Sequence, residues 1–129
     1  MEKRTVNPWS WQNERSYSQA VEVKNVESTL YCSGQAAIDP DGTSSDKGMK
    51  SQLQQAIANL EEVILKAGYE CSNIVRLNIY TTSTKELWPH FPILQEWIAK
   101  HNLEQAVTML EVNGLFETLM IELEATAVK

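Results

Sequence analysis

The chain lacks the features that announce most common classes. No apolar run approaches the ~20 residues needed to cross a bilayer. No basic cluster exceeds Lys3-Arg4, and 11 basic against 17 acidic residues leave a formal charge of -6. Such a surface repels phosphate backbones, so no nucleic-acid partner and no membrane partner are expected. The two cysteines, Cys32 and Cys71, have no CxxC spacing. They read as buried packing thiols rather than nucleophiles. The chain starts without a charged-then-apolar leader, and reduced thiols in a cytoplasm are the expectation. His90 and His101 are too far apart to look like a metal pair, and no Cys/Asp/Glu cluster has ligand spacing, so no metal site is expected. There is no phosphate loop, no GxSxG elbow, no internal repeat and no low-complexity linker.

What is present is an ordinary globular balance. The 129 residues are 43% hydrophobic and 22% charged, enough for one domain over 1–129 with a modest core. Residues 1–14, with Asn7-Pro8-Trp9-Ser10-Trp11, read as an extended N-terminal arm whose two tryptophans should find cover. Tyr17 to Val23 alternates with period two, as a half-buried strand does. A short polar turn over 25–28 then suits a hairpin to a second strand, Thr29 to Gln35, with Gly34 marking a bulge or a close backbone approach. Asp39-Pro40-Asp41-Gly42 is a turn.

The clearest helix runs from Lys47 to Ala67. Leu53, Ala56, Ile57, Leu60, Val63 and Ile64 recur at helical spacing, and Gly68 supplies the left-handed residue beyond it. Ile74 to Tyr80 alternates as a third strand. Ser83 to Glu86 has capping-box spacing before a second helix carrying Leu87, Phe91, Leu94, Trp97 and Ile98, its start complicated by Pro89 and Pro92. Ala106 to Val112 and Thr118 to Val128 complete the pattern as strands four and five. The order β-β-α-β-α-β-β predicts an α+β fold, a mixed sheet with two helices on one face. The opposite face, assigned Val21, Val23, Leu77 and Ile79, should be apolar and should promote self-association.

Several segments resemble those of the RidA (YjgF) family. They are Ser16-Tyr17-Ser18-Gln19-Ala20-Val21, then Leu30 to Gln35 followed by Asp39 to Gly42, then Asn59-Leu60 with Ala67-Gly68, and finally Ile121 to Ala127. The likeness is collinear from about Ser16 to the end. It implies a chorismate mutase-like fold and a homotrimer with a central barrel and three clefts between subunits. It also implies cofactor-free hydrolysis of reactive imines and enamines to keto acids and ammonia.

Imine hydrolysis requires that a carboxylate be held, a water activated and the nitrogen protonated. On the resemblance, Glu124 of the last strand is the general acid/base; its alternative is a solvated strand glutamate paired by parity with Glu122. Tyr17 would wall the cleft or orient a ligand, or else simply pack across strands. Ser33, Gly34 and Gln35 would line it, with backbone N–H groups near a ligand oxygen, or else form a bulge without a ligand. Val107 departs from the pattern. The deaminase branch carries an arginine in a Pro-Ala-Arg-Ser segment, and here Gln105-Ala106-Val107-Thr108 stands there. A valine cannot grip a carboxylate, a loss on the order of 2–5 kcal/mol for a desolvated charge pair. Met109 has the same parity as Val107, so this wall, with Thr108 between them, should be largely apolar. Phe91 aligns where that branch often carries an asparagine. Arg15, sharing strand parity with Tyr17, is the candidate for a relocated cation; a surface ion pair is its alternative, as for Arg76.

The leading expectation is a deaminase or hydrolase of a small imine, enamine or amide that lacks the usual carboxylate anchor. The alternative is a non-catalytic trimeric metabolite-binding or regulatory protein.

Overall fold

The computed structural model describes residues 1–129. Seven strands and three helices follow in the order β1 (Glu2–Val6), β2 (Ala20–Lys24), β3 (Thr29–Tyr31), β4 (Gln35–Ala36), α1 (Met49–Lys66), β5 (Ile74–Thr81), α2 (Thr84–Leu87), α3 (Phe91–Lys100), β6 (Ala106–Glu111) and β7 (Ile121–Val128). The main sheet runs β3-β7-β5-β6, with β4 also on β7. β5 and β6 are parallel and the remaining ladders antiparallel, so the sheet is mixed as expected. No helix is long and apolar enough to cross a membrane.

α1 forms where the apolar spacing placed it. Leu53, Leu60 and Ile64 are fully buried against the sheet. Each such side chain contributes about 1.5–3 kcal/mol of apolar burial. The helix ends in a Schellman arrangement: Gly68 has φ 79°, its N–H donates to Leu65 O at 3.0 Å, and the Tyr69 N–H donates to Ile64 O at 3.1 Å. The second helical segment starts in pieces because Pro89 and Pro92 withhold N–H donors: α2, a 3-10 turn at Trp88–His90, then α3. Ser83 Oγ caps α2 by accepting from the Glu86 N–H at 3.1 Å.

Two expectations change in the tertiary structure. The hairpin between the first two predicted strands does not form. β2 pairs antiparallel with β1, and β3 pairs with β7. Residues 1–14 are thus strand β1 followed by a loop and the start of a 3-10 turn at Trp11–Arg15, and Trp9 and Trp11 stack on each other while 57% and 48% exposed. The bulge at Gly34 does form. From Tyr31 to Gln35 is one residue longer than the facing step from Thr126 to Leu123, which separates β3 from β4.

The second correction concerns sidedness. Leu77 and Ile79 are buried beneath the helices, together with Leu94, Trp97, Ile121, Leu123 and Ala125. The open face instead carries Arg76, Asn78, Tyr80 and Glu124, joined by hydrogen bonds. The helix-free face of this subunit is therefore polar at its centre, not apolar.

Candidate functional site

A cavity of about 780 Å³ opens on the helix side of the sheet. Its floor is Ile79, Val107 and Met109, and Phe91, Trp88 and Ile98 wall it from the second helical segment. Arg15, Ser16 and Tyr17 close it from the N-terminal side.

The position of that N-terminal wall follows from local hydrogen bonds. The 3-10 turn ends at Ser16 in the left-handed region, φ 63° and ψ 45°, which redirects the chain toward the sheet. The Ser18 N–H then donates to Gln105 O at 2.9 Å, beside an isolated parallel bridge between Ser18 and Ala106 on the free edge of β6. Gln105, almost fully buried, donates from Nε2 to Ser16 O at 2.8 Å. Gln95 on α3 donates to Glu14 O at 2.9 Å and to Ser16 Oγ at 3.2 Å. Two glutamines thus clamp the turn to α3 and to the start of β6, and Tyr17 and Arg15 are held at the cavity as a result.

The cavity walls are aromatic on both flanks. Trp88 stacks on Phe91 with centroids 5.2 Å apart, and Trp11 meets Tyr17 edge-on at 6.3 Å. Arg15 is the only cation in the lining. Its guanidinium lies 4.9 Å over the Trp11 ring and has no carboxylate within ion-pair distance. An anion at the cavity mouth would find it unpaired.

The structure brings together Tyr17, Val107 and Met109, along with Arg15 and Phe91. It does not bring Glu124 to them. Register decides this: Val107 pairs with Leu77 and Leu77 with Ala125, whereas Thr108 pairs with Asn78 and Asn78 with Glu124. Side chains alternate across a sheet, so Val107 and Glu124 point to opposite faces of the same subunit. Glu124 Oε1 accepts from Asn78 Nδ2 at 2.9 Å and from Tyr80 Oη at 3.2 Å. Asn78 in turn accepts from Arg76 Nε at 3.1 Å, and Arg76 reaches Thr108 Oγ1 at 2.9 Å. Burial first, and then the hydrogen bond and charge of Glu124, push the Tyr80 hydroxyl above the ordinary tyrosine range.

Ser33 and Gly34 lie at the β3–β4 junction, and Gln35 begins β4 with its Nε2 donating to Ser33 O at 3.3 Å. The carboxylate packed on Gly34 is Glu122. A Cβ built on Gly34 would sit 2.6 Å from the Glu122 carboxyl carbon. Glycine at 34 is what lets this carboxylate lie on the backbone. Unlike Glu124, Glu122 accepts no hydrogen bond from a protein side chain; only the paired parity of the two glutamates pointed to it in the sequence. Cys32 and Cys71 are both free and buried, and burial raises the Cys32 thiol pKa.

The comparisons with known proteins agree with this architecture. Residues 10–129 match the family model described as Endoribonuclease L-PSP. A RutC family protein of Aquifex aeolicus is 32% identical over 113 residues, covering 88% of each chain. The human 2-iminobutanoate/2-iminopropanoate deaminase is 28% identical over 114 residues, covering 88% of this chain and 80% of that one. In three dimensions, the Rid-family protein YyfB from Yersinia pestis superposes with a TM-score of 0.87 at 30% identity, covering 100% of both chains. With its mixed sheet, its helices on one face and these relatives, the chain belongs to the RidA (YjgF) family.

Proposed function

We propose that this protein hydrolyses a small imine, enamine or amide with a mainly apolar body, without a cofactor, in a cleft that a neighbouring copy completes within a homotrimer. The observation that carries this reading is the cavity floored by Val107 and Met109. It has the volume of a small-ligand site, hydrocarbon at the position where a fixed arginine would hold an acid, and a single cation, Arg15, at its mouth.

The chemistry divides between the two faces of the sheet. Tyr17, Phe91 and Trp88 hold the body of the substrate and exclude water from it. A carboxylate then directs water to the C=N carbon and returns the proton to nitrogen, so that the C–N bond breaks to give a carbonyl compound and ammonia. Glu124 is fixed by Asn78 and Tyr80 as part of the sheet network. Glu122, lying on Gly34 beside Ser33, has its oxygens free of protein donors and is the better placed acid/base. A neighbouring subunit would bring that second half to the cavity. The cytoplasm, where both free thiols stay reduced, is the compartment that suits the chain.

The test is ammonia release by purified protein from 2-iminobutyrate and from uncharged imines of larger apolar body. Faster release from the uncharged set is expected. No release above buffer from any of them ends the enzymatic reading.

One observation favours a second reading, a non-catalytic metabolite binder. Within one subunit the only carboxylate in the cavity lining is Glu14, which is exposed. Ligands that raise the melting temperature of the wild type, Glu122→Ala and Glu124→Ala alike, with no ammonia released by any of the three, would support it.

A further inference from the structure

Away from the cavity, three side chains from three elements converge. Glu61 lies on α1, Cys71 opens the 3-10 turn that leads into β5, and His101 ends α3. One ligand atom of each lies within 4.8 Å of the other two. His101 Nε2 is 3.2 Å from Glu61 Oε1, an ion-pair distance when the ring is protonated, yet it is buried and has no hydrogen-bond partner. The Trp97 ring meets the imidazole edge-on at 5.8 Å and fixes its plane. Cys71 is only 3% exposed, whereas the Glu61 and His101 side chains keep 32% and 24% of their surface, so the group is shallow and open to water on one side.

From this convergence we infer that Glu61, Cys71 and His101 form a binding site for a single divalent transition-metal ion of the zinc type. The donor set is one thiolate, one imidazole and one carboxylate. That mixture suits a borderline-soft tetrahedral ion with water in the fourth position, and it does not suit calcium or magnesium, which take oxygen ligands. On coordination the Cys71 sulfur gives up its proton to solvent. The ion would tie the C-terminal part of α1 to the end of α3. The wide separation of these residues along the chain conceals the set from any spacing motif.

The test uses the full-length protein, stripped with a chelator and titrated with Co²⁺ as the optical stand-in for Zn²⁺. One cobalt per chain is expected, with a near-ultraviolet thiolate-to-cobalt band and the intense visible bands of tetrahedral coordination. Zinc should displace it, and dialysed protein should retain one zinc by elemental analysis. Cys71→Ser should abolish the thiolate band, His101→Gln should weaken binding at least tenfold, and Cys32→Ser should leave the spectrum unchanged. Wild-type protein that binds no cobalt, or binds it without a thiolate band, overturns the inference whether or not the variants fold. So does a band that is lost in Cys32→Ser and kept in Cys71→Ser.

Discussion

The two faces of the main sheet use alternate residues of the same strands for opposite purposes. On the helix side, Leu77, Ile79, Val107 and Met109 make a hydrocarbon surface that is core under α1 and α3 and cavity floor where the helices diverge. On the other side, Arg76, Asn78, Tyr80, Thr108 and Glu124 form a chain of hydrogen bonds. Neighbouring positions thus separate an apolar cavity from a polar hydrogen-bonded surface.

The comparison can be broken most severely at adjacent residues of β5. Leu77→Ala should cost about 2–5 kcal/mol, because it empties a fully buried site. Asn78→Ala, one residue on, should cost only ~1 kcal/mol, the net value of its hydrogen bonds. Urea unfolding of both variants measures the contrast, and equal losses would erase the distinction between the faces.

Val107→Arg sharpens the comparison from the cavity side. A guanidinium there should tighten binding of 2-ketobutyrate about tenfold, ~1.4 kcal/mol, by calorimetry. Unchanged affinity would mean that the cavity is not where an acid is held.

Gly34→Ala probes the open face. The new methyl group displaces the Glu122 carboxylate and should cost ~1 kcal/mol, a typical single-substitution loss. In a Glu122→Ala background the same change should cost less, and the coupling in that double-mutant cycle is the quantity to read.

Tyr80→Phe is the mildest change, about 0.5 kcal/mol, since one partly solvated hydrogen bond is lost. Its pH signature is more telling. The folded-state pKa of Tyr80 is raised, so its contribution is complete below the ordinary tyrosine value of 10 and is lost as pH climbs through the higher folded value. Ultraviolet titration should find one late-ionising tyrosine, and Glu124→Gln should bring it nearer to the others.

Much of this was legible in the residues. Helical spacing located α1, Gly68 its end and Ser83 the start of α2, because backbone preference and capping act over a few residues. Glycine at position 34 pointed to a close approach, though not to Glu122 as the group that approaches. The predicted hairpin failed because β1, Glu-Lys-Arg-Thr-Val, is too polar to read as a strand and yet takes β2 as its partner. The tryptophans at 9 and 11 stack on each other in solvent, a local solution that hydrophobicity alone does not suggest.

Period two in the sequence determined which residues share a face: Leu77 with Ile79, Asn78 with Tyr80, Val107 with Met109, Glu122 with Glu124. Only the tertiary structure decided which face the helices cover and how the strands stand in register. Alternation is a property of one strand, whereas sidedness and register arise from long-range packing. That is why Glu124 and Val107, both placed at the cleft by the resemblance, are found on opposite faces of one subunit, and why Glu61, Cys71 and His101, unrelated along the chain, meet in space.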